Sequence, residues 1–364
     1  MSSVVVWHGV TINLSGWLIR LDWPATRSTG AFSTGKIIPA RSVMRPLELC
    51  FVLAFLPLIL LAFGPPAWRR FLAPLSVVPA LVALLQVVVE GRRWQLIPLY
   101  VLATVIPVLA VLGRGRKPAR WLRVGSGVVL AGVVVGSVVL AGYILPVITL
   151  PAPTGPYSVG VVDRELVDPA RDRRLMASVW YPAAAPGDPA PLTHYPDQLM
   201  EGMATLTGLP GIVFQHLRYI DVTASDGAPI LAGAQPFPVL VFSHGLVGTR
   251  LQNASMLQEL ASWGYVVLAL DHTDAAAVTV FPDGETRFYD PARFGLATDD
   301  APSKASVETD MFPVWVADQR FAFDTLEDWA ESDPVFVGKL NLAQLGAFGH
   351  SFGGATSLEV CRVD

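Results

Sequence analysis

Charge is scarce in this chain. Only 15% of its 364 residues are Asp, Glu, Lys or Arg, against about a quarter in soluble domains, and mean hydropathy is +0.48. A wholly water-soluble chain is thereby excluded, and part of the sequence is expected in a membrane. An excess of positive charge is missing too. The formal net charge is −4, which argues against a nucleic-acid partner, and the arginines cluster at the ends of apolar segments, where topology accounts for them. Cysteine is nearly absent: Cys50 lies inside an apolar run and Cys361 near the last residue. That predicts no disulfide and leaves the redox compartment open. Histidine is sparse, and the suggestive pair His272 and Asp274 finds no convincing third ligand in the chain, so no metal is expected. Nothing implies a cofactor.

What the sequence has instead is four apolar runs, at about residues 47–64, 71–89, 96–113 and 124–150, each nearly free of charge. Each is near the ~20 residues that span a hydrocarbon core. Buried helices of a soluble core would hardly arrive as four successive runs with arginines between them. Residues 44–150 are therefore predicted to form four transmembrane helices, with Gly132-x-x-x-Gly136 as a weak candidate for a helix-contact face. Glu48 and Glu90 lie only at the ends of the runs, which gives no sign of an ion pathway.

The first 43 residues show neither helical nor strand periodicity and no signal-peptide plan. Met44-Arg45-Pro46 stands where a translation start would, so residues 1–43 are expected to be a non-native or disordered leader. Counted from Met44, Arg69, Arg70, Arg114, Arg116, Lys117, Arg120 and Arg123 lie on one side of the spans, and Arg45, Arg92 and Arg93 on the other. The positive-inside rule then places everything after Leu150 outside the cytoplasm. An authentic leader, with Arg20, Arg27, Lys36 and Arg41, would erase that bias.

From 151 to 364 the composition is that of a globular domain. Residues 157–167 and 175–181 read as early strands. Residues 238–242 and 265–270 are short continuous apolar runs, as expected of parallel strands buried on both faces. Helical stretches at 252–263 and 314–330 alternate with them, and a last strand at 345–348 follows. This is the βαβ rhythm of a mostly parallel sheet with helices on both faces. Two segments interrupt it. Residues 275–310 mix proline, glycine and charge and are expected above the carboxyl edge of the sheet. Residues 196–216 read as a helix packed on the sheet or as a lip that touches lipid.

The last strand runs into Gly349-His350-Ser351-Phe352-Gly353. G-x-S-x-G between a strand and a helix is the nucleophile elbow of an α/β-hydrolase, with the serine hydroxyl exposed above the sheet. Ser351 is thus the candidate nucleophile, which needs a base in hydrogen-bond reach. Acyl transfer also develops an oxyanion that needs donors. One is the Phe352 N–H at the helix start, and the other is expected from Leu246 N–H in the loop 243–248. Among the histidines, His350 is expected to point away from the serine and His244 to shape the loop. His194 and His216 read as surface or packing residues. In this fold the acid and the base follow the nucleophile, and nothing follows Asp364. The expectation is a hydrolase domain truncated after the elbow, without its catalytic Asp and His, whose last strand exposes an unpaired edge.

Pro153-Thr154-Gly155-Pro156-Tyr157, Val179-Trp180-Tyr181-Pro182, Phe242-Ser243-His244-Gly245-Leu246, Asp271-His272-Thr273-Asp274 and Gly349-His350-Ser351-Phe352-Gly353-Gly354 resemble, in order, the platelet-activating factor acetylhydrolase family. Bacterial esterases with a membrane-spanning leader look like the nearest kin, which implies an integral protein of a bacterial-type cell membrane. The resemblance implies calcium-independent hydrolysis of lipid esters, removing a short or oxidised acyl group from a glycerophospholipid. By motif, Ser351 would be the nucleophile and Leu246 and Phe352 would form the oxyanion hole. Two other readings stand beside it: hydrolysis of small soluble esters or lactones, and a non-catalytic membrane pseudoenzyme.

Overall fold

The computed structural model describes residues 4–7, 10–13, 41–42, 44–112, 119–233, 235–294 and 307–363. Contacts divide the chain into two units. One is Ala40–Thr149 with Ile212–Ile220, and the other is Met1–Pro39 with Leu150–Gly211 and Asp221–Asp364.

In the first unit the apolar runs become helices α1 (Pro46–Leu53), α2 (Leu56–Phe63), α3 (Arg69–Leu72), α4 (Val78–Glu90), α5 (Ile97–Leu112) and α6 (Arg120–Val139). Pro57 divides the first run, because its ring clashes with the carbonyl four residues back, and the chain turns at Ala54 and Phe55. Among the described residues three stretches are long and apolar enough to cross a membrane: Pro46–Phe63, Trp94–Leu112 and Arg120–Ile144. The second expected span is the shorter apolar helix Ala73–Val89, which opens on a 3-10 turn, Ala73–Val77, with Pro74 in its first positions. Phe51, Phe55, Leu96 and Leu99 pack inside the unit, whereas Leu84, Val88, Leu112 and Val129 stand exposed on its outside. A Cβ on Gly132 or Gly136 would meet nothing within 4 Å, so among the described residues the Gly-x-x-x-Gly pattern marks no close helix contact.

Polar groups lie inside this apolar shell. Glu48, fully buried, pairs with Arg45 (Nη2–Oε1 2.7 Å) and Arg93 (Nη1–Oε2 3.4 Å). The Glu90 carboxylate accepts the Leu47 and Glu48 N–H groups at 2.7 and 3.1 Å, which satisfies donors that a helix start leaves open. Arg93 donates to the carbonyls of Ala141 and Leu145. The start of the first run, the end of the second, the start of the third and the end of the fourth therefore meet in one cluster. The 3-10 segment Gly211–Tyr219 closes it, with Tyr219 OH donating to Arg92 O at 2.6 Å and Trp94 N–H donating to Gln215 Oε1 at 3.1 Å.

The strands are β1 (Val4–Trp7), β2 (Val10–Asn13), β3 (Arg41–Ser42), β4 (Ile148–Thr149), β5 (Ser158–Asp168), β6 (Arg173–Ala183) and β7 (Pro189–Pro191). They continue with β8 (Asp221–Asp226), β9 (Phe237–Ser243), β10 (Val266–Asp271), β11 (Val278–Val280), β12 (Thr286–Phe288) and β13 (Leu340–Gly349). A nine-stranded sheet orders the second unit as β2-β1-β13-β9-β10-β6-β5-β8-β7. Its core, β13-β9-β10, is parallel, and β10-β6-β5 is antiparallel. The parallel character expected of the sheet is thus concentrated at its centre. The reason is local: β5 and β6 join through a tight turn that no helix could fit, capped by Asp168, whose Oδ1 accepts the Ala170 and Arg171 N–H groups at 3.0 and 3.2 Å.

The central strands are apolar throughout because both faces are covered. Val239, Val241, Val266, Leu268 and Leu270 pack on Ala322 and Leu326 of helix α9 (Phe312–Ser332, counting α7 as Pro196–Thr207 and α8 as Ala254–Ser262). The alternate residues Leu240, Phe242, Val267 and Ala269 pack on Ala254, Leu257 and Ala261 of α8. The 196–216 segment supplies α7, and a Cβ on its Gly202 would lie 2.7 Å from the Ala277 carbonyl oxygen, so α7 lies against the chain entering β11. Residues 275–310 include the hairpin β11–β12 and the 3-10 turn Pro291–Phe294; 295–306 lie outside the described residues.

Within the leader, residues 4–7 and 10–13 form β1 and β2, and 14–40 lie outside the described residues. One expectation is corrected. The outer edge of β13 is paired, not free: β1 joins it antiparallel, with Val4 opposite Gly349 and Val6 opposite Ala347. An edge of free N–H and C=O groups is a template for any extended segment, and four residues with three valines provide one.

Candidate active site

Between the end of β13 and helix α10 (Phe352–Val363) the chain reverses through His350 and Ser351. Ser351 is exposed and adopts φ +51°, a left-handed conformation that costs a non-glycine residue about 1–2 kcal/mol. Glycine stands wherever backbone crosses backbone here. A Cβ on Gly349 would lie 2.3 Å from the Gly353 carbonyl carbon, and one on Gly353 would lie 2.2 Å from the carbonyl oxygens of both Ser243 and His244. Both glycines of G-x-S-x-G are therefore dictated by contact.

The carboxyl end of β9 carries a second turn. Its Val247 has φ +55°, a genuine outlier for a β-branched residue. The turn is held by Val247 N–H on Ala275 O at 3.2 Å and Gly248 N–H on Gly245 O at 2.8 Å. Leu246 and Phe352 pack in one apolar cluster with Ala275, Phe294, Met311 and Trp315. Among the described residues neither the Leu246 nor the Phe352 N–H has a hydrogen-bond acceptor. Leu246 and Phe352 are thus brought together, each beside a left-handed residue, and Ser351 adjoins the second.

Beneath these turns lies a polar network that the sequence did not announce. His272 is fully buried, with Nδ1 3.1 Å from Asp318 Oδ2 and Nε2 3.1 Å from Ser243 Oγ. The carboxylate can only accept, so Nδ1 carries the proton and Nε2 faces the Ser243 hydroxyl, which also lies 3.3 Å from Gln319 Oε1. Arg173 grips Asp318 with two bonds (2.7 and 2.8 Å) and Arg171 adds a third at 2.8 Å. Burial alone would raise the Asp318 pKa, but Arg173 and the His272 bond outweigh it and hold the carboxyl well below the usual range. Burial lowers the His272 pKa despite Asp318, and it lowers that of His244 to about 4, with neighbouring His272 acting the same way. Both rings are therefore neutral at pH 7.

Serine, histidine and aspartate here copy the bonding of a catalytic triad, but Ser243, His272 and Asp318 are all 0% exposed. Trp315 also stacks on the His272 ring at 3.8 Å and meets Phe352 edge-on at 4.8 Å. No substrate reaches this set. It fastens β9, β10 and α9 under the two turns. His272 thus turns to Asp318 and Ser243 rather than to Asp274. Among the described residues no group of three or more His, Cys, Asp or Glu could hold a metal.

The remaining described histidines are engaged elsewhere. His350 Nδ1 meets Gln252 Nε2 at 3.1 Å, half-exposed His194 meets Asp226 at 3.3 Å, and His216 Nδ1 lies 3.2 Å from Val213 O. One signal could have exposed Asp318. Trp315, Asp318, Gln319, Ala322 and Leu326 form the buried stripe of α9, and acidic or amide residues on such a stripe mark a buried polar contact.

A strand–elbow–helix unit on a sheet with a parallel core and helices on both faces defines the α/β-hydrolase class. Comparison narrows it: residues 144–288 match the family model of platelet-activating factor acetylhydrolase, isoform II. The platelet-activating factor acetylhydrolase of Cavia porcellus is 26% identical over 230 residues, 57% of this chain and 51% of that protein. Its counterpart in Canis lupus familiaris is 23% identical over 238 residues, with the same two shares. A solved ferulic acid esterase from Streptomyces cinnamoneus aligns at 26% identity and a TM-score of 0.46, over 59% of this chain and 58% of that one. Over the matched stretch this chain is similar to the platelet-activating factor acetylhydrolase family. It spans about half the length of the curated relatives it matches, and the elbow lies beyond the family-model match.

Proposed function

We propose that this chain is the membrane-anchored, nucleophile-bearing part of a serine esterase that removes a short acyl group from glycerophospholipids. The observation that carries the reading is Ser351, exposed at φ +51° on a turn whose glycines are fixed by contact. Its Oγ attacks the acyl carbonyl carbon, and the carbonyl oxygen, now negative, receives the N–H groups of Leu246 and Phe352. The bond to the glycerol oxygen breaks, and water then releases the acid from the acyl-serine. A histidine must take the serine proton and return it to the leaving oxygen. Each described histidine bonds to another partner, so the base in this reading comes from outside the described residues. The apolar helices anchor the enzyme, with the second unit outside the cytoplasm. Relatives named for platelet-activating factor support a lipid substrate.

The test compares wild type with Ser351→Ala in detergent, using a platelet-activating-factor-type phospholipid and p-nitrophenyl acetate. Expressed from its complete reading frame, the enzyme is expected to release acetate from both, with a loss of about 10³-fold or more in Ser351→Ala. Turnover of the soluble ester alone would remove the lipid assignment. Ser351-dependent turnover by the 364-residue chain would show that the base lies within it.

A further inference from the structure

We infer that Gln252 is a positioning residue: its side-chain amide clasps the turn carrying the Leu246 N–H to the turn carrying the Phe352 N–H, fixing the separation of the two oxyanion donors. The inference rests on the reading of those two groups given above. Gly245 N–H donates to Gln252 Oε1 at 2.8 Å, and Gln252 Nε2 lies 3.1 Å from His350 Nδ1, across 98 positions of sequence. The orientation of the amide is forced. A backbone N–H can only donate, so the amide atom facing Gly245 is the oxygen. The NH₂ group then faces His350, whose Nδ1 must accept and whose proton must sit on Nε2.

The surroundings are shaped to this bridge. A Cβ on Gly245 would lie 2.7 Å from His350 Nδ1, and one on Gly248 would lie 2.7 Å from Gln252 Oε1. Gln252 is itself fixed, its own N–H donating to Thr249 O at 2.9 Å just before α8, and a second strand of the link runs from His350 N–H to Ser243 O at 3.1 Å. Both turns hold a non-glycine residue in the left-handed region, Val247 and Ser351. Such conformations persist only where the surroundings over-determine them. An oxyanion donor also works only within about 2.7–3.1 Å of the developing charge, so two donors on separate turns need a cross-brace.

Two measurements test this. Amide hydrogen exchange on the full chain in detergent is expected to show 245–248 exchanging about tenfold faster in Gln252→Leu, with β10 unchanged. Gln252→Asn, whose amide is too short for both partners, is expected to match it. The double variant Gln252→Leu, His350→Leu is expected to exchange no faster than Gln252→Leu, because both remove one link. Unchanged exchange at 245–248, or additive acceleration in the double variant, overturns the clasp. With the complete reading frame, Gln252→Leu is expected to lower kcat about 10–100-fold and leave KM within about twofold. An unchanged kcat overturns the positioning role. If even wild type shows no Ser351-dependent turnover while exchange responds as expected, the clasp stands and the esterase reading falls.

Discussion

At Val247 the chain accepts φ +55°, which a β-branched side chain resists by about 1–2 kcal/mol, while glycine would enter it freely at an unfolded-state cost of about 0.5–1 kcal/mol. Val247→Gly is therefore expected to leave the fold intact and stabilise it by roughly 0.5–1 kcal/mol, seen as a higher urea midpoint; a lower midpoint would mean that valine packing outweighs the strain. Asp318 illustrates the opposite balance. Its carboxylate answers Arg173, Arg171 and His272 together, so Asp318→Ala leaves buried charge without a partner. A loss of about 3–5 kcal/mol is expected, and a change under 1 kcal/mol in chemical denaturation would show that water replaces the carboxylate without cost. Ser351 was readable from the sequence because an elbow is a local pattern, complete within five residues. Asp318 and Gln252 were not, because their partners lie on distant elements: Arg173 is 145 positions from Asp318.

Elements whose environment is uniform along their length were legible. Strands β9 and β10, covered on both faces, read as unbroken apolar runs. Helix α8 and helix α9 showed their stripes. Elements decided by one residue or by pairing were not. Pro57 breaks the first apolar run, and β1 is a strand because β13 offers it an edge, which no periodicity within four residues could reveal. The contact between α10 and β9 gives the test at this scale. Any side chain on Gly353 collides with two carbonyl oxygens at 2.2 Å, and backbone cannot swing aside as a flexible side chain can. Gly353→Ala is expected to abolish the folded elbow or cost more than about 3 kcal/mol; circular dichroism melting within a degree or two of wild type would refute this.

Across the whole molecule, the buried histidines give stability a pH dependence with a definite sign. The folded pKa of His244 is lowered to about 4 and that of His272 is also lowered, against about 6.5 in an unfolded chain. The unfolded state therefore binds protons that the folded state refuses. The His244 contribution is complete above about pH 6.5 and is lost as pH falls toward 4, by roughly 3 kcal/mol, and His272 acts in the same direction. The depressed carboxyl of Asp318 adds a further loss only below about pH 4. Urea midpoints at pH 7, 6, 5 and 4 should decline steadily, and a flat profile down to pH 5 would contradict neutral buried rings. The Glu48–Arg93 pair has a different reach, because it joins positions 45 residues apart. During synthesis Glu48 emerges long before Arg93 exists, and in that interval Arg45, three positions away, is the countercharge at hand. The first apolar run therefore begins its life as a locally neutralised segment and settles only when the third arrives. Order of assembly is written into the chain as a charge that must wait for its mate.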